Sequence, residues 1–139
     1  MIPIKLSCHV LVVDDRRDIR YLSKHILTKS GATVEECEDG LIAVEHMSVS
    51  LNEGRVPDLI LLDMQMPNLD GYATAKAIRS LGYTGPIVAL TADAMQSDMS
   101  NCLQAGCNDY LSKPIDRAQL LAKVAELTIG KNDETAANN

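Results

Sequence analysis

With 139 residues, 46% of them hydrophobic, the chain has material for one domain with a sizeable core; lacking Trp and Phe and holding only 4 Tyr, that core must be aliphatic. A formal net charge of -6 argues against a nucleic-acid-binding surface, which is normally basic. No stretch is long and apolar enough to span a bilayer, and no charged start leads into an apolar run as in a secretory signal.

In chain order, His9 to Asp14 (HVLVVD) is a short apolar, β-branched run that ends in acid. Arg17 to Lys29 has helical spacing and Gly31 stops it. Ala32 to Cys37 (ATVEEC) is half polar, as an edge strand is, and Leu41 to Leu51 reads as a helix. Asp58 to Asp63 (DLILLD), introduced by Pro57, is the clearest buried strand. Asp70 to Leu81 is a helix, Pro86 to Thr91 (PIVALT) a buried strand, and Met95 to Leu103 the apolar face of a helix ending at Gly106. Asp109 to Ser112 is a short strand, and Asp116 caps a last amphipathic helix to Leu127. Met1 to Ser7 reads as a linker remnant, residues 8–128 as the domain, and 129–139 as a flexible polar tail. Cys8, Cys37, Cys102 and Cys107 form no Cys-x-x-Cys pair and the His residues lack zinc spacing, so the thiols read as reduced packing groups of a cytoplasmic protein.

This strict β-α alternation predicts a doubly wound α/β fold, with a five-stranded parallel sheet covered on both faces. In such sheets the site lies beyond the carboxyl ends of the strands. There stand Asp14 and Asp15 after the first strand, Asp63 after the third, Thr91 after the fourth and Lys113 after the fifth. Each alone has a bland reading as a cap, a turn residue or a solvated charge; the convergence is the signal. Like charges about 4 Å apart repel by roughly 4 kcal/mol at an effective dielectric near 20. A cluster of that kind needs a cation, and all-oxygen ligands suit Mg²⁺ or Mn²⁺. A hard cation, a lysine and a hydroxyl around a carboxylate are the parts that hold a phosphoryl group during in-line transfer.

VLVVDD, LILLDMQMPNLDG, ALTADA and DYLSKP resemble the receiver domains of response regulators, in that family's order and spacing, over Val10 to Leu127. The resemblance implies a flavodoxin-like receiver fold with strand order 2-1-3-4-5. It makes Asp63 the phosphoacceptor. Asp15, Asp63 and the backbone carbonyl of Gln65 bind the metal, with Asp14 acting through a water. Thr91 and Lys113 hold the phosphoryl oxygens, and Thr91 and Tyr110 form the switch. It implies a cis Lys113–Pro114 bond, a loop shaped by Pro67 and Gly71, and a small Ala92 beside the incoming group. Gln65 and Asp93 stand at variable positions of the family, which leaves the lifetime of the phosphoryl group open.

KLSCHVLVVDD and CLQAGCNDYLSKPI resemble receivers fused behind hybrid sensor histidine kinases. The partners implied are a histidine kinase, a histidine phosphotransfer domain, or both, with no nucleic acid or membrane contact. The chain has no kinase histidine box and no ATP-binding glycine motif, so it is not itself the kinase and reads as a fragment of one or a stand-alone receiver. It is expected to catalyse only its own phosphorylation and dephosphorylation. On the first helix Ile19, Tyr21, Leu22, His25, Ile26 and Leu27 span too wide an arc for one core stripe, so some are exposed. The resemblance points to Ile19 and Leu22, with Ile115, as the partner face. Two rivals are a haloacid-dehalogenase type phosphatase, which needs a second Asp where Gln65 stands, and a degenerate docking receiver, which would lack one of the acids or Lys113.

Overall fold

The computed structural model describes residues 4–92 and 96–137, with side chains described at 4–92 and 99–128. The expectations at Asp93 and Met95 lie outside the described residues. The elements alternate strictly: β1 (His9–Val13), α1 (Arg17–Lys29), β2 (Thr33–Cys37), α2 (Gly40–Glu53), β3 (Leu59–Asp63), α3 (Gly71–Ser80), β4 (Ile87–Thr91), α4 (Gln96–Ala105), β5 (Asp109–Ser112) and α5 (Arg117–Ala137). All strand pairs are parallel, in the order β2-β1-β3-β4-β5. Among the described residues no helix is long and apolar enough to cross a membrane.

The central strands β3 and β4 are buried at every position, because both faces of the sheet are covered. One face packs Leu11, Ile60 and Leu62 against Met47 of α2 and Ile78 of α3. The other packs Val10, Val12 and Leu61 against Leu27 of α1 and Leu120 of α5. Burying each of these leucines contributes about 1.5–3 kcal/mol. The outer strand β2 stays half polar, with Glu35 and Glu36 exposed, as its sequence predicts. Asp39 and Asp70 accept the backbone N–H groups of Ile42 and Ala73, each at 2.8 Å, and so start α2 and α3. Asp116 does the same for α5 through Ala118 N–H at 2.9 Å.

Two boundaries differ from the sequence reading. Leu6, in the segment read as a linker, is buried in the α1/α5-side core, and its N–H donates to the Ser30 carbonyl at 2.6 Å. Gly31 makes that approach possible: its φ is +110°, and a side chain there would collide with the Leu6 carbonyl. At the other end α5 continues past Leu127 to Ala137, through part of the segment read as a tail.

All four cysteines are buried and none is in a disulfide. Burial pushes the Cys37 thiol up to about 11 and the Cys107 thiol up to about 12. At pH 8 an ordinary thiol is roughly a quarter ionised, against roughly one part in a thousand or less at such values. Iodoacetamide should therefore modify Cys37 and Cys107 at least about a hundredfold more slowly in the native protein than in the urea-unfolded chain at pH 8. Equal rates, measured by intact mass, would show that the thiols are not held in the core.

Candidate functional site

Four of the five strands deliver polar residues to the same rim. Asp63 is the last residue of β3 and is 1% exposed. Asp14 follows β1 directly and is fully buried, while Asp15 is exposed. Thr91 ends β4, 5% exposed, next to Leu90, which pairs with Asp63 across the sheet. Lys113 follows β5, and its N–H donates to the Thr91 carbonyl at 2.7 Å. The register that buries the apolar runs thereby fixes where these polar ends stop.

The Lys113 Nζ lies 3.1 Å from Asp63 Oδ1 and 3.7 Å from Asp14 Oδ2. Asp63 Oδ1 also accepts the Gln65 N–H at 3.1 Å, and Asp14 Oδ1 accepts the Arg16 N–H at 2.9 Å. Carboxylate oxygens of Asp14, Asp15 and Asp63 all lie within 4.8 Å of one another. Burial pushes the Asp63 carboxyl above its ordinary value; the Gln65 N–H opposes this, the Asp14 charge adds to it, and Lys113 opposes it.

Four buried side-chain polar atoms lack a hydrogen-bond partner among the described residues: Asp14 Oδ2, Asp63 Oδ2, Thr91 Oγ1 and Ser23 Oγ. Three of these belong to this one rim. An unmade buried hydrogen bond costs about 1–3 kcal/mol, so such a concentration marks a place for a ligand. The residues present fit a hard divalent cation. One carboxylate oxygen from each of the three acids lies within 4.8 Å of the others, so a single hard cation can reach all three, directly or through a bound water. Three carboxylates and one lysine sum to -2 with all groups charged, which one dication neutralises.

The loop after Asp63 owes its path to Gly71. A side chain there would meet the Asp63 carbonyl oxygen at 2.6 Å, so only glycine lets the start of α3 close under the site. The Lys113–Pro114 bond is cis, as the resemblance implies. Tyr110 is half-buried on β5 opposite Ala89, two residues before Thr91 on β4, and packs on the α3/α4-side core.

The sequence profile of the response regulator receiver domain matches residues 10–125. The chain belongs to this family. The receiver is 39% identical over 122 residues to the osmosensing histidine protein kinase SLN1 of Saccharomyces cerevisiae, a match covering 86% of this chain and 10% of that protein. Its fold matches the receiver domain of sensor histidine kinase PA1611 from Pseudomonas aeruginosa PAO1, solved with a magnesium ion coordinated in the active site cleft. That match has a TM-score of 0.76 and 37% identity, and it covers 88% of this chain and 98% of that one. A co-crystal structure of the Saccharomyces cerevisiae histidine phosphotransfer protein Ypd1 with the receiver domain of Ssk1 matches at TM-score 0.82 and 30% identity, covering 93% of this chain and 94% of that one. The receiver spans between 10% and 56% of the length of the first curated relatives it matches.

Of the residues picked from sequence, Asp14, Asp15, Asp63 and Lys113 meet directly, and Thr91 adjoins them through the sheet. Gln65 reaches Asp63 through its N–H. Ile19 is half-buried and Leu22 is 41% exposed, while Ile115 packs on the α1/α5-side core. Tyr21, at 71%, is the most exposed large apolar residue of α1. Sequence reading missed Arg20, whose Nη1 donates to the Asp14 main-chain carbonyl at 2.7 Å. The only sequence signal was a third arginine, five residues after Asp15, behind Arg16 and Arg17.

Proposed function

We propose that this receiver accepts a phosphoryl group from a phosphohistidine onto the carboxylate of Asp63, with Mg²⁺ bound by Asp15, Asp63 and the Gln65 carbonyl and by Asp14 through a water. The observation that carries the reading is the trio of buried oxygens without a hydrogen bond, on Asp14, Asp63 and Thr91, at the one rim where Lys113 meets Asp63 and Asp14. Asp63 Oδ1 is already held by Lys113 and Gln65, which leaves Oδ2 as the nucleophile. Its attack forms a P–O bond while the P–N bond to the donor imidazole breaks. The nitrogen leaves with the bonding pair, and an acyl phosphate remains on Asp63. Lys113 and the Thr91 hydroxyl then hold phosphoryl oxygens. The bound cation supplies charge neutralisation that lets a dianionic group approach the acids.

The magnesium-bound PA1611 receiver supports the choice of metal. The Ypd1–Ssk1 complex and the SLN1 likeness support a histidine phosphotransfer domain or a histidine kinase as partner. Acetyl phosphate with Mg²⁺ should add one phosphoryl group per chain by intact mass. Continued turnover of a small phosphate ester would instead identify a phosphatase.

Ile19, Leu22 and Ile115 form the proposed partner face. Ile19→Glu should slow transfer from a phosphorylated kinase or phosphotransfer domain roughly tenfold or more, the scale of an interface anchor. Labelling by acetyl phosphate should stay intact. Equal loss of both would mean that the change damages the fold.

Thr91 couples the phosphoryl group to Tyr110. Drawing the Thr91 hydroxyl toward the phosphate frees space beside Ala89, which the Tyr110 ring enters, and α4 shifts with it. Thr91→Ala should keep most labelling of Asp63 but remove the beryllofluoride-induced amide shifts around Tyr110 and α4. Shifts identical to the parent's would sink the coupling.

A further inference from the structure

Arg20 is where the structure goes beyond the residues already given a role. Its side chain is only 14% exposed, and its Nη1 donates to the main-chain carbonyl of Asp14 at 2.7 Å. That carbonyl belongs to the Asp14–Asp15 peptide. A peptide group is planar, so holding its oxygen fixes the direction in which the chain enters Asp15. Asp14 is held elsewhere too: its N–H donates to the Cys37 carbonyl at 3.2 Å, and its Oδ1 accepts the Arg16 N–H at 2.9 Å. With Arg20 in place, the one polar atom of Asp14 without a hydrogen bond is Oδ2, which points into the site. The N-cap residue of α1, Arg16, makes no side-chain cap, and of these bonds only that of Arg20 holds the Asp14 carbonyl itself.

Arg20 is itself oriented. Its Nε lies 3.5 Å from Glu36 Oε1 on β2, and Lys24 Nζ lies 3.3 Å from Glu36 Oε2. The outer strand thus steers the guanidinium onto the acidic loop. The guanidinium reaches the carbonyl through Nη1 and the glutamate through Nε, two nitrogens held apart in one plane, whereas a lysine would have to reach both from a single Nζ.

We propose that Arg20 is a positioning residue that sets the Asp14–Asp15 peptide for cation binding, steered by Glu36. The proposal rests on the reading of Asp14, Asp15 and Asp63 as the Mg²⁺ site. Two effects of removing Arg20 oppose each other. Loss of a nearby positive charge would tighten cation binding, whereas loss of the carbonyl bond would weaken it. Outer partners of metal ligands typically matter about 10–100-fold in affinity, so positioning wins.

The test is an amide NMR titration with MgCl₂ alone, following the Asp63 and Gln65 signals. Arg20→Ala should need about tenfold more Mg²⁺ than the parent. Arg20→Lys keeps the charge but not the fork, and should need roughly threefold more. At saturating Mg²⁺ the acetyl-phosphate labelling rate of both should return to within about twofold of the parent, since the reacting groups are unchanged. Should Arg20→Ala lose its dispersed spectrum, the lysine variant decides alone. Binding to Arg20→Lys equal to the parent's, or binding to Arg20→Ala as tight as or tighter than the parent's, overturns the proposal. A parent whose Asp63 and Gln65 signals ignore Mg²⁺ overturns the site reading instead, which keeps the two failures distinct.

Discussion

Asp63→Asn should abolish phosphoryl labelling, with the rate falling at least about a hundredfold because the amide is no nucleophile. No neighbour can substitute. Asp14 lies farther from Lys113, at 3.7 Å, and Asp15, which is exposed, makes no ion pair with it among the described residues. Only Asp63 stands at the end of a central strand, with Lys113 at 3.1 Å. The same change should leave the fold as stable as the parent or more so. It removes a charge whose ionised form is disfavoured first by burial and also by Asp14. Lys113 keeps Asp14 at 3.7 Å as a partner, so its charge is not left buried alone when the Asp63 pair is lost. Undiminished labelling of the variant by intact mass would refute Asp63 as acceptor.

Chelation should stop labelling of the parent as completely as the Asp63 substitution does. Without a dication the site is acid-rich, and a dianionic phosphoryl group meets three carboxylates and a single lysine. At about 4 Å each like-charge contact costs roughly 4 kcal/mol at an effective dielectric near 20, enough to suppress transfer about a thousandfold. Asp15→Ala should weaken Mg²⁺ binding more than Asp14→Ala, because Asp15 is assigned a direct bond and Asp14 a bond through water. Labelling at full rate in excess chelator would contradict the site.

Much of this was legible in the sequence for a physical reason. Strands buried on both faces must be continuous apolar runs, so LILLD and IVALT mark β3 and β4 without ambiguity. A parallel sheet puts every strand's last residue on one rim, so Asp14, Asp63, Thr91 and Lys113 could be grouped before any coordinates. What escaped was carried by the main chain. Arg20 binds a carbonyl, and every residue has one, so no side-chain pattern announces the contact. Leu6 docks by its N–H on the Ser30 carbonyl, beside a glycine that reads only as a helix stop. The extension of α5 to Ala137 has no apolar period to reveal it, since KNDET is polar and the two alanines after it set no helical stripe. Buried Ser23 on α1 is likewise invisible to a rule that places serine outside.

The central claim is that the phosphoryl group resides on Asp63 as an acyl phosphate. Borohydride reduces an acyl phosphate of aspartate to homoserine, which marks the acceptor covalently. The receiver labelled with acetyl phosphate and Mg²⁺, reduced, digested and sequenced by tandem mass spectrometry, should carry homoserine at position 63 and aspartate at positions 14 and 15. Homoserine at either of those positions, or a phosphoryl group found on a histidine, would contradict the account.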